Sequence, residues 1–285
     1  MYDVMVWLQQ FRNPALDYIV EAITITAEEN VLLIAICILY WCVSKKMGYV
    51  AGFAVVFSNN LSYVLKDIFK IPRPWLVDDR IIAIRQHTAT GYSFPSGHTM
   101  SGSSLWIGMA LCIKKRWFSI LTAVMTLLIG LSRIYLSVHT PLDVGVGWVL
   151  AILVALMSYY LMTKLQAKGI NVLFILLNVL LIAMLFIVRS ETYYKMTGVL
   201  LAFLPSYLLE RKFIRFNVKG RWWQHIIKVL LGGGIALGIR IGLSALFPEM
   251  LIFDFIRYFL MGVGILVLAP WLFLKLKLAS PCEKA

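Results

Sequence analysis

The sequence predicts an all-α, polytopic membrane helical bundle, and three observations predict it. Of 285 residues, 61% are hydrophobic and only 14% charged. Apolar runs of roughly 17 to 25 residues, the length that crosses a hydrocarbon core, recur throughout the chain. The breaks between these runs concentrate lysine and arginine on every second loop. No break is long enough for a separate soluble domain, so any chemistry has to be built from helix ends and short loops.

Reading the apolar runs against the charged breaks predicts a helix at 12 to 27, then spans at 29 to 44, 48 to 69, 98 to 113, 117 to 135, 140 to 163, 169 to 188, 196 to 209, 226 to 247 and 253 to 274. The first helix is weakly apolar and carries Asp17 and Glu21, with Glu28 and Glu29 close behind, a composition suited to an interfacial helix. Lys45-Lys46, Lys114-Lys115-Arg116, Lys164 with Lys168, the cluster from Arg211 to Arg221, and Lys275 with Lys277 fall on one side. The excess of positive charge places that side in the cytoplasm. Glu28-Glu29, the long 70 to 95 segment, the turn at 136 to 139 and Glu249 with Asp254 then face the extracytoplasmic side. The start lacks a positive n-region and a cleavage site, so the N-terminus is expected to be retained. Short loops and the lack of targeting extensions suggest a prokaryotic plasma membrane. The polar motifs all lie in residues 1–165, and 166–285 reads as an appended block of transmembrane helices.

The formal charge of +13 is dispersed among short loops instead of forming a stripe with interleaved aromatics, which argues against nucleic acid as a partner. Cys37, Cys42, Cys112 and Cys282 show neither paired metal spacing nor a disulfide framework. No metal or cofactor is called for. Membrane lipids are the expected surroundings, and the pattern says nothing of oligomeric state.

Three segments place polar residues at the ends of apolar spans: Lys66 to Pro74 (KDIFKIPRP), Pro95 to His98 (PSGH) and Ser132 to Asp143 (SRIYLSVHTPLD). Span by span, these ends share one membrane side, so topology alone brings together Lys66, Arg73, His98, Arg133, His139 and Asp143. Ionisable groups near hydrocarbon are costly, and three cations beside two histidines suit an anion, with phosphate the natural choice. Arginine offers a planar fork to two oxygens, lysine a point charge, and the Ser96-Gly97 amides a helix N-terminus. Phosphoryl transfer also needs a nucleophile and an acid for the leaving oxygen. Asp143 follows His139 by four residues, one helical turn, and can hold one ring nitrogen while the other attacks; His98 has no such carboxylate and adjoins the anion cradle. His139 is thus read as nucleophile, Asp143 as its orienter and His98 as proton donor, with Lys66, Arg73, Ser96, Gly97 and Arg133 binding phosphate.

Lys66-x6-Arg73-Pro74, Pro95-Ser96-Gly97-His98 and Ser132-Arg133-x5-His139-x3-Asp143 resemble the three signatures of the type 2 phosphatidic acid phosphatase superfamily, at every signature position. The resemblance covers about 30 to 165. It implies a six-helix catalytic core shared with soluble vanadium haloperoxidases, metal-independent phosphatase activity and the residue roles above. A lipid phosphate entering sideways at headgroup depth is the expected substrate: phosphatidic acid, phosphatidylglycerol phosphate, an isoprenoid diphosphate or a sphingoid-base phosphate. Two alternatives stay open, a phosphotransferase passing the group from His139 to an alcohol and a transporter that binds lipid phosphate without cleaving it.

Other residues read more plainly. His87 belongs to a solvated loop, Trp75 to an interfacial anchor, and His225 to the structure of the opposite face. Gly234, Gly238 and Gly242 make a smooth helix face on which another helix of the chain is expected to pack, and Arg240 is expected to pair with Glu249 or Asp254.

Overall fold

The computed structural model describes residues 1–168 and 172–282. Twelve α-helices account for most of them: α1 (Tyr2–Gln9), α2 (Pro14–Ile25), α3 (Glu29–Ile38), α4 (Lys45–Phe69), α5 (Gly97–Ile113), α6 (Arg116–Tyr135), α7 (Pro141–Lys168), α8 (Val172–Met184), α9 (Glu191–Leu209), α10 (Trp222–Leu246), α11 (Leu251–Val263) and α12 (Ala269–Lys275). An isolated antiparallel bridge joins Phe216 to Pro281. The chain is an all-α membrane protein, as its composition requires.

Among the described residues, five stretches are long and apolar enough to cross a membrane: Lys45–Leu76, Arg116–Tyr135, Pro141–Leu165, Trp222–Leu246 and Leu251–Lys275. The pair α2 and Glu29–Val43, bent by 52°, makes a sixth if counted as one span. Nine spans were expected, and the difference has a local cause. Helix α5 opens on the polar run Gly97 to Ser104 and has only 17 residues, α8 has 13, and α9, with 19, opens on the polar run Glu191 to Lys195. The expected span at 169 to 188 begins outside the described residues.

Packing divides the chain into two compact units that interleave in sequence: Met1–Leu33 with Phe57–Tyr160, and Ile34–Val56 with Leu161–Ala285. The sequence reading had placed a single cut after 165. Three helices pass from one unit to the other, because a long membrane helix meets different neighbours along its length.

In the first unit, α6 packs against α5, α2 and α1. Helix α1, absent from the sequence reading, buries Met5 among Ile81, Ile134 and Val144. Asn13 then caps α2, its side chain accepting from the Leu16 amide with Pro14 at the first helical position. Between α1 and α2, Arg12 donates to the carbonyls of Ile82 and Tyr135, both at 2.6 Å, and to Ser137 Oγ at 2.7 Å. The N-terminal segment therefore clamps both the long loop after α4 and the turn after α6.

In the second unit, α9 crosses α11 closely at Gly198, where a Cβ would lie 2.4 Å from the Phe255 carbonyl oxygen. Three π turns occur here, Leu39–Val43, Glu210–Ile214 and Gly264–Leu268. A π turn disturbs the carbonyl ladder, and side chains take up the slack: Trp41 Nε1 donates to Ile265 O at 3.0 Å and Tyr40 OH to Leu266 O at 2.9 Å. The expected packing face at Gly234, Gly238 and Gly242 is open, with nothing within 4 Å of a Cβ at any of them. Gly232, two residues before Gly234 and on another face, meets the Trp41 ring instead. Nor does Arg240 pair with Asp254, which binds Arg257 at 2.8 Å, leaving Arg240 exposed.

Candidate active site

The site lies in the first unit, where four helix ends meet: the end of α4, the start of α5, the end of α6 and the start of α7. Each end is fixed by local chemistry. Helix α4 stops at Phe69, and Lys70 follows with a φ of 48°. Ser96 caps α5, its Oγ accepting from Thr99 Oγ1 at 2.8 Å. The turn from α6 into α7 spans five residues, 136 to 140, with Ser137 at a φ of 57°. Thr140 and Asp143 then cap α7 reciprocally: the Thr140 amide donates to Asp143 Oδ2 at 2.8 Å and the Asp143 amide to Thr140 Oγ1 at 3.2 Å.

Every residue nominated from the sequence belongs to this cluster, and most are inaccessible: Arg133 is 0% exposed, His139 and Asp143 2%, Arg73 3% and Lys66 9%. His139 lies in the turn between two spans. Its Nε2 is 3.1 Å from Arg73 Nη1. Arginine can only donate, so Nε2 is the acceptor and the ring proton resides on Nδ1. Nδ1 faces Asp143 Oδ2 at 3.5 Å, an electrostatic approach longer than a hydrogen bond. Burial, reinforced by Arg73, Arg133 and Lys66, pushes the His139 imidazole down to about 3, against the opposing pull of Asp143. The ring is neutral at physiological pH, with its lone pair on Nε2.

Asp143 makes both contacts that its position allowed, a helix cap and an approach to His139. Its Oδ2 caps α7, approaches His139 and also accepts from Ser93 Oγ at 2.6 Å. Ser93 is a site residue that the sequence reading missed, and nothing in a loop serine announces such a role. Arg73 is more committed than expected: Nε donates to Gly91 O at 2.9 Å, Nη2 to Thr90 O at 2.7 Å and Nη1 to Val138 O at 3.0 Å. Its guanidinium also lies 5.7 Å from the centre of the Trp75 ring, so Trp75 supports the site instead of simply anchoring the interface.

The cradle at Ser96-Gly97 needs one correction. The Ser96 amide donates to the Asp143 carbonyl at 3.1 Å and its hydroxyl is spent on the cap, so Ser96 ties α5 to α7. Of the two amides expected to face an anion, that of Gly97 remains. A Cβ on Gly97 would sit 3.3 Å from Ser62 Oγ and 3.9 Å from Lys66 Nζ, so the glycine keeps this side of the site open.

Several buried polar atoms here lack a hydrogen-bond partner among the described residues, Ser62 Oγ and His139 Nδ1 included, and those of Arg133 and His98 bear most directly on an anion. Arg133 Nη1 donates to Thr24 Oγ1 at 2.7 Å, but Nε and Nη2 are buried without a partner among the described residues. His98 Nε2 is buried in the same condition. Orphaned donors of this kind are costly and rare. His87, by contrast, is exposed in a short 3₁₀ turn away from these contacts.

The chain is similar to known proteins over most of its length. Residues 47–167 match the PAP2 superfamily, and residues 194–281 match the PAP2 superfamily phosphatase transmembrane extension. A probable sphingosine-1-phosphate phosphatase of Dictyostelium discoideum is 26% identical over 55% of this chain and 41% of its own length. An undecaprenyl-diphosphatase of Sulfolobus acidocaldarius is 30% identical over 40% of this chain and 55% of its own. A lipid A 4'-phosphatase of Bacteroides thetaiotaomicron is 21% identical over 58% of this chain and 78% of its own. The chain spans 24% to 55% of the first curated relatives that it matches.

Proposed function

From the premise that this chain belongs to the PAP2 superfamily, we propose that it hydrolyses a lipid phosphate without metal, through a phosphohistidine, at the extracytoplasmic face of a plasma membrane. The observation that carries the reading is the buried, unpartnered Nε and Nη2 of Arg133 and Nε2 of His98 beside a neutral His139. Arg133 Nε and Nη2 form the side edge of the guanidinium, the fork that fits two oxygens of one phosphate. Lys66, Arg73 and the Gly97 amide take up the remaining charge as it develops.

His139 Nε2 attacks phosphorus while the bond to the lipid oxygen breaks, and His98 gives that oxygen a proton. Arg73 Nη1, now beside His139 Nε2, moves to an oxygen of the transferred group. Phosphorylation makes the imidazole cationic, and Asp143 stabilises it through Nδ1. A water molecule then attacks phosphorus, His98 accepts its proton, the phosphorus to nitrogen bond breaks, and inorganic phosphate leaves. Three fixed cations supply the charge that a metal brings to other phosphatases.

The names of the three relatives share one chemical feature, a lipid bearing a phosphate or diphosphate. That class is the proposed substrate. Helix ends at headgroup depth suit it, because the phosphate can reach the site while the tails stay in the bilayer. Orientation follows from the lysine and arginine clusters on the opposite loops.

The test is phosphate release from a panel of lipid phosphates by purified protein in detergent with a chelator present. Release should persist in chelator and vanish in His139→Ala. A well-folded wild-type protein that binds these lipids but never frees phosphate would falsify the proposal.

A further inference from the structure

Helix α2 lies outside the three signatures and outside residues 47–167 that match the PAP2 superfamily. Its polar residues nevertheless form one line. Asp17, Glu21 and Thr24 are spaced by four and three residues, the spacing of a single helix face, and Glu28 follows in the break between α2 and α3. All four face protein. Asp17 accepts from Tyr135 OH at 2.7 Å, while Glu21 and Glu28 hold Arg85 at 3.3 and 2.5 Å. Thr24, completely buried, accepts from Arg133 Nη1 at 2.7 Å. Through these bonds the acidic residues hold α2 against α6 and the long loop.

Thr24 stands apart from its neighbours in this line, because its partner is a phosphate-binding group. A guanidinium has two edges that can grip an anion, one formed by Nη1 with Nη2 and the other by Nε with Nη2. Thr24 engages one N–H of Nη1, which leaves the side edge as the one edge with both nitrogens uncommitted. Nε and Nη2 remain, buried and unpartnered. We infer that Thr24 is a positioning residue for phosphate binding: its hydroxyl fixes the rotation of the Arg133 guanidinium so that the side edge faces the anion. The inference rests on the phosphatase reading for its kinetic consequence, but not for its effect on anion binding.

The hydroxyl is neutral, so it does not compete with phosphate for the cation's charge as a carboxylate would. That distinguishes Thr24 from Glu21 and Glu28, whose charges are matched to Arg85 one step further out. Preorganisation is the physical gain. Without Thr24, the side chain of Arg133 would have to be ordered by the ligand itself, at a cost in affinity.

The experiment compares wild type, Thr24→Val, Thr24→Ala and Thr24→Ser in detergent, measuring orthovanadate affinity and, separately, lipid phosphate release. Valine keeps the shape and loses the hydroxyl, alanine allows for misfolding of the valine variant, and serine restores the acceptor. Losing a hydrogen bond to a charged group should weaken orthovanadate about 10- to 100-fold in Thr24→Val and Thr24→Ala, and Thr24→Ser should stay within about threefold of wild type. Substrate turnover should fall more than KM rises, because the fork matters most when charge develops. In an Arg133→Lys background, Thr24→Val should add almost nothing.

Equal orthovanadate affinity in wild type and both hydroxyl-free variants would overturn the inference. So would serine behaving like valine, which would assign the effect to packing, or a full multiplicative loss in the Arg133→Lys background. Wild-type protein that binds orthovanadate but releases no phosphate would sink the hydrolytic reading alone, and the comparison of affinities would still decide the role of Thr24. Failure of wild type to bind orthovanadate would overturn both.

Discussion

Asp143→Asn removes one negative charge from the site with little change of shape. All three approaches to this carboxylate converge on Oδ2: Ser93 Oγ at 2.6 Å, the Thr140 amide at 2.8 Å and His139 Nδ1 at 3.5 Å. An asparagine carbonyl in the same place keeps the cap on α7 and the bond from Ser93, so the substitution isolates charge. In the free protein His139 is neutral, and little is lost. On attack the ring becomes cationic, 3.5 Å from where the carboxylate was. At an effective dielectric of about 20, a full charge pair at that distance is worth about 5 kcal/mol, and a half-developed charge about 2 kcal/mol. The smaller figure corresponds to roughly 30- to 50-fold in rate, and the larger bounds the loss at roughly 3000-fold. Steady-state and single-turnover phosphate release should therefore show kcat falling between those limits with KM nearly unchanged, while thermal stability shifts by less than about 1 kcal/mol. A variant whose kcat stays within threefold of wild type, or whose whole defect lies in KM, would refute the role assigned to Asp143.

Two further outcomes follow from the same geometry. His98→Ala should slow lipid phosphate release by about 100-fold or more, yet spare nitrophenyl phosphate, whose leaving group needs no proton; equal losses on both substrates would remove His98 from the acid role. The second concerns acid stability. His139 is held near a pKa of about 3 in the fold, against the ordinary histidine value of 6.5. Between these values the unfolded chain takes up a proton that the native ring does not. Stability from this residue is fully present above pH 6.5 and declines as pH falls toward 3, by up to about 1.4 kcal/mol per unit. The thermal midpoint of wild type should thus drop more between pH 7 and pH 5 than that of His139→Asn, and parallel profiles would contradict a neutral buried ring.

The chemistry-bearing side chains were legible in the sequence because they lie at or beside the ends of helices α4 to α7, where polar residues interrupt an otherwise apolar pattern. Lys66, Arg73, His98, Arg133, His139 and Asp143 were nominated by that logic, and the structure brings them together. Less legible was anything whose meaning depends on a partner distant in sequence. Ser93 and Asp143 are 50 residues apart, and Thr24 and Arg133 are 109 apart. No local spacing carries such information. Misreadings have the same origin. A glycine stripe at 234, 238 and 242 signals a packing face only if another helix arrives there.

These facts bear on what the signatures do. A signature fixes which atoms are present, but not which edge of a guanidinium faces the anion or which ring nitrogen keeps its lone pair. Here those choices are made by groups outside the signature positions. Carbonyls of Thr90, Gly91 and Val138 hold Arg73 so that Nη1 selects Nε2 of His139 as acceptor. Thr24 selects the open edge of Arg133. Ser93 fixes Oδ2 of Asp143 beneath the ring. Most of these selectors sit on α2 or on the loop after α4, and the same two segments are clamped together by Arg12 and Arg85. The N-terminal helices are thereby part of the machinery that orients the phosphate site. Substitutions there should register as changes in anion affinity and turnover before they register as loss of fold.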